Sequence, residues 1–137
     1  MATLFQFQIL TPESVVFEKE ISSAIVPGTE GYLGILAHHA PLISGIVPGK
    51  VTVKDVDSRV QHFSVGGGFV EVSLNRAVLL ADSIEAVSDI DIERARKSLE
   101  RARERLSSRS PGTDVERAQA SMARALNRIR IAEAVRE

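Results

Sequence analysis

The sequence contains no cysteine and no tryptophan, and its aromatic residues are five phenylalanines and one tyrosine. Without cysteine the chain cannot form disulfides, zinc ribbons or a thiol nucleophile, so its stability must come from packing. It has no run of about 18 apolar residues, and its N-terminus lacks the basic, apolar and small-residue pattern of a signal peptide. We therefore expect a soluble chain whose contact with a membrane is peripheral.

The net charge of −1 conceals an asymmetry between the two ends of the chain. Residues 1–88 hold five basic and nine acidic residues, a balance of −4, and residues 89–137 hold twelve basic and nine acidic, a balance of +3. The aromatic residues and most glycines lie in the first part, whereas the second is rich in Ala, Arg, Glu and Leu, which favour helices. We therefore divide the chain into a domain of residues 1–88 and a domain of residues 89–137.

The first part has the apolar alternation of half-buried β-strands. Residues 3–10 alternate phenylalanine or isoleucine with glutamine, which is a period of two residues. The pattern recurs over residues 51–54 and 60–65, and residues 69–81 resemble a hairpin that turns at Asn75-Arg76. Many short strands separated by Gly and Pro predict a β-sandwich or a barrel.

Two features of the first part suggest ligand binding, and each has a simpler explanation. His38-His39 and His62 have no cysteine or carboxylate at a metal-ligand spacing, so we predict structural or surface histidines and no metal site. Gly66-Gly67-Gly68 could cradle a phosphate, but a strand follows it rather than a helix, which favours a β-bulge or a close backbone approach. We find no catalytic arrangement better than chance and predict that the chain is not an enzyme.

Two capping patterns, residues 88–91 and 113–116, predict helices in the second part. A Pro-Gly breaker within residues 107–112 separates them, which predicts a short connection and antiparallel packing. Each helix has one apolar stripe rich in alanine, so the hairpin should be only marginally stable by itself. The predicted stripe residues are Ile92, Ala95, Leu99, Ala102 and Leu106 in the first helix, and Val115, Ala118, Met122, Ala125, Leu126 and Ile129 in the second.

Arginines share one sector of each predicted helix. At about 100° per residue, these are Arg94, Arg101 and Arg105 in the first helix, and Arg117, Arg124 and Arg128 in the second. Three interpretations are open: a solvated face with salt bridges, an anion site or basic surface for an acidic partner, and a nucleic-acid surface. Nucleic acid is the weakest, because the helices contain no aromatic side chain and the whole chain is slightly acidic.

Five segments carry a further signal through their order along the chain. They are Val26–Leu36 (VPGTEGYLGIL), His39–Leu42 (HAPL), Ser64–Val72 (SVGGGFVEV), Val78–Asp82 (VLLAD) and Ile90–Ala95 (IDIERA). Together they resemble the epsilon subunit of F-type ATP synthases from bacteria or chloroplasts. The last of them is similar to the motif by which some members bind ATP, and the resemblance covers nearly the whole chain.

The resemblance implies a β+α fold, with a ten-stranded β-sandwich followed by a C-terminal antiparallel two-helix hairpin. It implies a non-catalytic rotor subunit of the central stalk, whose sandwich packs against the gamma subunit and stands on the c-ring, coupling proton translocation to ATP synthesis. The matching c-ring contacts are Glu30, Tyr32 and His39, and Tyr32 stands where many members have an acidic residue. Membrane association would occur only through the complex, on the cytoplasmic face of a bacterial inner membrane or the stromal or cytoplasmic face of a thylakoid.

The same resemblance makes the hairpin a regulator. Folded against the sandwich it would be permissive, whereas extended along gamma its basic helices would reach the alpha and beta subunits and inhibit ATP hydrolysis. No cofactor is then required, and ATP, with the involvement of Mg²⁺ left open, would be a regulatory ligand that is sensed without turnover because the chain has no P-loop. The matching nucleotide-binding residues are Ile90, Asp91, Arg94, Ala95, Arg101, Arg124 and Arg128.

The alternative function is a free-standing module whose basic hairpin holds nucleic acid or an acidic protein. Binding to random DNA that weakens with added salt would favour this function. The resemblance favours the rotor subunit, for which we expect gamma, the c-ring and the catalytic head as partners, and no nucleic acid.

Overall fold

The computed structural model describes residues 3–108, 112 and 114–136. The chain divides into two compact units, residues 1–86 and 87–137. This division lies two residues before the boundary drawn from composition, at the point where the last strand gives way to a turn of 3₁₀ helix.

Nine β-strands make up the described part of the first unit, and all neighbours are antiparallel except β1 and β8. The strands are β1 (Phe5–Leu10), β2 (Val15–Gly28), β3 (Gly31–Leu36), β4 (Leu42–Ile46), β5 (Gly49–Asp55), β6 (Val60–Val65), β7 (Gly68–Ser73), β8 (Arg76–Ala81) and β9 (Ile84–Ala86).

The count of nine, where the resemblance implied ten, is explained by the length of β2. This strand has 14 residues, and its first half pairs with β1 while its second half pairs with β3 and β5. The pairing with β5 shifts register between Ile21 and Ser23, which bends the strand. The two halves of one continuous strand therefore pair with different neighbours, as two shorter strands would.

The sheet folds back on itself to form the predicted sandwich. β1 pairs with both β2 and β8, and β4 pairs with β7 along its length and with β2 at Gly28. These pairings close a circuit through β1, β8, β7, β4 and β2, while β5, β6 and β9 continue outward from β2. The long strand β2 is therefore the element that the two layers share.

Alternating side chains from both layers fill the interior. Phe5, Phe7 and Ile9 of β1 are buried while the glutamines between them are partly exposed, as the alternation predicts. The ring of Phe7 lies 6.0 Å from that of Phe17, which lies 5.7 Å edge-on from that of Phe63. These distances suit attractive aromatic pairs, so one chain of rings runs from β1 to β6 across the core.

The hairpin between β7 and β8 turns at Leu74 and Asn75, one residue earlier than predicted. Both residues have positive φ angles, 50° and 58°, as a two-residue turn of type I′ requires. Asparagine tolerates this region, whereas the leucine costs about 1 kcal/mol or more. The side chain of Asn75 offsets that cost, because it donates to the Leu4 carbonyl (3.0 Å) and accepts from the His38 N–H (2.7 Å).

The second unit contains a turn of 3₁₀ helix (Val87–Asp89) and two helices, α1 (Ile92–Ser108) and α2 (Val115–Arg136). The helices pack against each other as the predicted antiparallel hairpin. Neither of them, within the described residues, has the apolar length that a bilayer crossing requires.

Both helices begin with an aspartate cap in nearly the same sequence, DIERA in α1 and DVERA in α2. Asp91 Oδ1 accepts from the Arg94 N–H (3.1 Å), and Asp114 Oδ1 accepts from the Arg117 N–H (3.0 Å). The first predicted capping box was therefore placed three residues too early, at residue 88. Thr113, the first residue of the second box, lies outside the described residues.

The buried stripe of α1 is confirmed at Ala95, Leu99 and Ala102. In α2 the predicted stripe is right at Ala118 and Ala125 but wrong at Val115, which is 45% exposed. The stripe continues instead to Ile131 and Ala132, which are buried near the end of the helix. The predicted stripe ended at Ile129 and so left them out, although Ala132 follows Ala125 by the same seven residues that separate Ala118 from Ala125.

The close approach of β7 to β8 at Gly68 yields a test of the fold. Its φ is +141°, and an added Cβ would clash with the Leu80 carbonyl oxygen, so Gly68→Ala should lower the free energy of unfolding by about 3 kcal/mol. The matched control is Gly34→Ala, where a Cβ meets no atom within 4 Å and stability should change by less than about 1 kcal/mol. Urea unfolding measures both, and equal losses in the two variants would contradict the account.

Candidate functional site

The predicted adenine contacts surround the first turn of α1. Ile90 is buried in a cluster with Val87, Ile131 and Ala132, and Ala95 is fully buried. The Asp91 carboxylate is exposed and caps the helix through the Arg94 N–H. In the closed hairpin, Asp91 and Arg94 are thus the exposed members of this motif, and Ile90 and Ala95 lie within the packed interior.

The ion pair between Arg96 and Glu133, 2.9 Å long, fixes how the two helices face each other. At about 100° per residue, Arg96 lies on one flank of the buried stripe of α1, and Arg94 and Arg101 lie on the opposite flank. The same geometry puts the predicted arginines of α2 on the flank opposite Glu133. Because Arg96 and Glu133 meet on one side of the hairpin, the other arginines of both helices converge on the other side.

The same ion pair also fixes the axial register of α1 against α2. Arg101 is five residues after Arg96, and Arg128 is five residues before Glu133, which is about 7.5 Å along each axis. Arg101 and Arg128 therefore lie level with each other. The sequence alone could not supply this register, since the length of the connection leaves the helices free to slide.

We call this surface the arginine face; it consists of Arg94, Arg101, Arg105, Arg117, Arg124 and Arg128. Five of these side chains are exposed and Arg128 is half-buried. Between described residues, Arg94, Arg101 and Arg124 form no ion pair, so the salt-bridged interpretation gains no support there. Like charges four residues apart on a helix repel each other, and a polyanion bound to this face would relieve that repulsion.

The predicted c-ring contacts fall at two ends of β3. Glu30, in the β2–β3 turn, and Tyr32 line an open cavity of about 450 Å³ together with residues of β4. The Tyr32 hydroxyl accepts from the Lys50 N–H (3.2 Å). His39 follows the other end of β3, and its Nδ1 lies 2.7 Å from the Ala40 carbonyl oxygen. The structure therefore brings Glu30 and Tyr32 together and leaves His39 apart, since residues 32 and 36 are about 13 Å apart along the strand.

An exposed apolar surface was missed by the sequence analysis. Ile43, Phe69 and Leu80 are 73%, 61% and 50% exposed, on the neighbouring strands β4, β7 and β8. Phe69 and Leu80 are directly paired across the strands. We call these three residues the outer apolar face. Only the strand order could reveal it. In the sequence, each of these residues is a single outward-facing position in its own strand, and nothing there shows that the three are neighbours.

The histidines do not form a metal site within the described residues, which contain no group of three potential ligands. His62 Nδ1 lies 3.1 Å from the Thr52 hydroxyl on the neighbouring strand. Partial burial, and then the nearby Lys50 cation, lower the pKa of His62 below its ordinary value of 6.5. His62 is thus a neutral structural residue of the sheet at neutral pH.

Two family models together match residues 4–133. Residues 4–87 match the β-sandwich domain of the ATP synthase delta/epsilon chain, and residues 88–133 match its long α-helix domain. The chain belongs to the ATP synthase epsilon-chain family. The sandwich followed by a helical hairpin is the architecture of this family, and membership puts the chain among the non-catalytic subunits of the complex.

Bacterial epsilon chains match this chain over nearly its whole length. The ATP synthase epsilon chain of Moorella thermoacetica is 44% identical over 135 residues, which are 98% of this chain and 100% of that one. The epsilon chain of Desulforamulus reducens is 42% identical over 133 residues, 97% of this chain and 100% of that one. The family resemblance drawn from the five ordered segments is thereby confirmed.

Solved structures share the fold at lower identity. A chain in the Euglena gracilis mitochondrial ATP synthase structure (OSCP, F1 and c-ring) has a TM-score of 0.77 and 20% identity, with 98% of this chain and 82% of that chain covered. A chain in the Tetrahymena thermophila central stalk and c-ring structure has a TM-score of 0.54 and 14% identity, covering 95% of this chain and 94% of that one.

The lowered pKa of His62 gives a prediction for stability against pH. The unfolded chain binds a proton at His62 more readily than the folded chain, so the stability contributed by the neutral histidine is present above about pH 6.5 and falls as the pH drops below it. Between pH 7 and pH 5, the melting temperature of His62→Gln should therefore fall less than that of the original chain. Both proteins are referred to their values at pH 8, where the histidine is neutral in both states, and identical slopes would contradict the assignment.

Proposed function

We propose that the chain is the central-stalk rotor subunit of an F-type ATP synthase, with a sandwich that attaches to the rotor and a hairpin that regulates ATP hydrolysis. Family membership supports this role, and the folds it resembles come from structures described as F1 with c-ring and as central stalk with c-ring. In that role the subunit couples proton translocation to ATP synthesis. It is held at the cytoplasmic face of a bacterial inner membrane, or at a thylakoid, through the complex.

The outer apolar face supports attachment to the gamma subunit. Ile43, Phe69 and Leu80 expose large side chains on three adjacent strands, and such clusters on soluble proteins mark interaction surfaces. The turn that carries Glu30 and Tyr32 would meet the polar loops of the c-ring, and His39 would meet them from the other end of β3. Burial of the two surfaces in different interfaces would hold the sandwich rigidly on the rotor.

The arginine face is the observation that carries the regulatory role. Six arginines converge on one side of the hairpin, and three of them have no carboxylate partner among the described residues. When the hairpin opens, this face would be attracted to acidic surfaces of the alpha and beta subunits and would inhibit ATP hydrolysis. When the hairpin is closed, the arginines would surround the phosphates of ATP.

ATP binding would close the hairpin because it cancels the repulsion between its helices. Arg94, Arg101, Arg124 and Arg128 would contact the triphosphate, with Arg101 and Arg128 level across the helices. Asp91 would accept from the adenine, and Ile90 and Ala95, which are buried in the closed hairpin, would hold that turn of α1 in place from beneath. No P-loop is present to hold a metal and position the phosphates for transfer, so ATP would be sensed and not hydrolysed.

Titration calorimetry with ATP tests the nucleotide site through paired variants. Arg124→Ala with Arg128→Ala should weaken ATP binding by about tenfold or more, since each charge-assisted hydrogen bond contributes about 1.5–3 kcal/mol. The control is Arg103→Ala with Arg130→Ala, an equal loss of charge away from the arginine face, which should leave affinity nearly unchanged. Equal losses in the two double variants would show that only net charge matters.

The two aspartate caps provide a second arm for the same titration. Asparagine caps a helix as well as aspartate does, so Asp91→Asn and Asp114→Asn should leave helix content unchanged by circular dichroism. Asp91→Asn should nevertheless weaken ATP binding, because the carboxylate acceptor is lost, while Asp114→Asn should not. If the two variants bind ATP alike, Asp91 is a helix cap and nothing more.

Truncation tests the division of labour between the units. A chain that ends at Ala86 keeps the sandwich complete, so it should still bind an F1 complex that lacks epsilon, and it should not inhibit ATP hydrolysis by that complex. Phe69→Ser in the full-length chain keeps the hairpin and alters the outer apolar face. It should weaken that binding by about tenfold or more. Loss of binding by the truncated chain, or unchanged binding by Phe69→Ser, would contradict the proposal.

A further inference from the structure

Arg96 joins carboxylates of both helices at the end of the hairpin away from the interhelix connection. Its Nη1 donates to Glu93 Oε1 (2.8 Å) within α1, and its Nη2 donates to Glu133 Oε1 (2.9 Å) on α2. The two nitrogens of one planar guanidinium therefore hold two separate carboxylates, which a lysine could not do with the same geometry. We call Glu93, Arg96 and Glu133 the clasp.

Two of the clasp charges, Arg96 and Glu133, stand at the unfavourable ends of their helices. Arg96 is in the second turn of α1, near the positive end of the helix dipole, and Glu133 is in the last turn of α2, near the negative end. Each charge therefore slightly disfavours its own helix. Glu93 compensates Arg96 within α1, whereas Glu133 is compensated across the helices by Arg96, so the position of Glu133 indicates an interhelical role.

Both buried isoleucines of the second unit, among the described residues, lie at the same end of the hairpin. Ile90 and Ile131 are buried with Val87 and Ala132, and Ile92 packs against them. Further along the helices the buried residues are alanines, apart from Leu99. The apolar contact is thus concentrated where the clasp is, and the remainder of the interface is held weakly.

The opposite flank of the hairpin pushes the helices apart. The arginine face brings like charges of α1 and α2 together at one level, and the clasp brings opposite charges together on the other flank. The balance between the two flanks therefore governs how readily the last turns of α2 leave α1.

We propose that the clasp holds the last two turns of α2 closed, so that the hairpin opens from this end when the Arg96–Glu133 contact is lost. The clasp is a property of the isolated chain, and only its regulatory meaning rests on the proposed function. In that function, the clasp sets the fraction of open hairpin before any nucleotide binds.

Hydrogen exchange in the isolated full-length chain tests the clasp. Glu133→Gln should speed exchange of the backbone amides of residues 127–135 severalfold and leave residues 116–122 unchanged. The matched control is Glu100→Gln, which removes an exposed carboxylate of α1 that is outside the clasp. In 0.5 M NaCl the difference between Glu133→Gln and the original chain should shrink, because exposed ion pairs are screened over a few ångströms at such salt.

The sign of the change distinguishes the clasp from a role within one helix. A carboxylate in the last turn of α2 interacts unfavourably with the helix dipole. Without the clasp, Glu133→Gln would therefore stabilise the end of α2 and slow its exchange. Arg96→Gln should match Glu133→Gln, and combining the two should add little, since either change alone breaks the contact. Slower or unchanged exchange in Glu133→Gln, or equal acceleration in Glu100→Gln, would overturn the proposal.

The same variant, Glu133→Gln, tests the clasp and the proposed function independently of each other. In the assembled ATP synthase, Glu133→Gln should deepen inhibition of ATP hydrolysis, because it raises the open fraction of the hairpin. Faster exchange without deeper inhibition would leave the clasp standing and contradict the regulatory role of the hairpin.

Discussion

The alanine seam between α1 and α2 is the contact on which the behaviour of the second unit depends. Ala95 and Ala102 of α1 and Ala118, Ala125 and Ala132 of α2 are buried, yet each has only one methyl group to remove from water. At about 0.8 kcal/mol per buried carbon, such a seam scarcely exceeds the entropy lost when the helices are ordered. Small electrostatic contributions on either flank therefore decide whether the hairpin is closed.

The sandwich, in contrast to the hairpin, has a large and well-filled core. Its core includes three contacting aromatic rings and many fully buried aliphatic side chains, and its sheet closes through β1 and β2. Binding at its outer surfaces need not reorganise the interior. One chain thus combines a rigid unit suited to permanent attachment with a marginal unit suited to switching, and the change in composition near residue 88 separates them.

The strand pattern and the helix stripes could be predicted because they depend on local periodicity. The alternation in β1 and the stripe of Ala95, Leu99 and Ala102 are properties of neighbouring residues, and the structure has them as expected. Long-range features could not be predicted in this way. The outer apolar face needs the order of β4, β7 and β8, and the clasp needs the register between helices that only the Arg96–Glu133 contact reveals.

The errors at turns and caps have a common physical origin. Asn75 and Asp91 were each recognised as residues that favour turns or caps, but several nearby residues compete for the same role. The choice is made by hydrogen bonds to distant groups or to the first free amides: Asn75 bonds to Leu4 and His38, and Asp91 to the Arg94 N–H. The partners of Asn75 are far from it in the sequence, whereas Ser88 and Asp91 both fit a local capping pattern, and only the position of the helix start decides between them.

In the proposed mechanism, an anion closes the hairpin by cancelling the repulsion between its arginines. Because the chain has no cysteine, Lys97→Cys and Ala134→Cys can carry a single pair of spin labels on exposed positions near the open end of the hairpin. Pulsed electron paramagnetic resonance then measures the distribution of distances between α1 and α2. We expect a broad distribution that ATP narrows to the short distance of the closed hairpin. A distribution that is the same with and without saturating ATP would contradict the account.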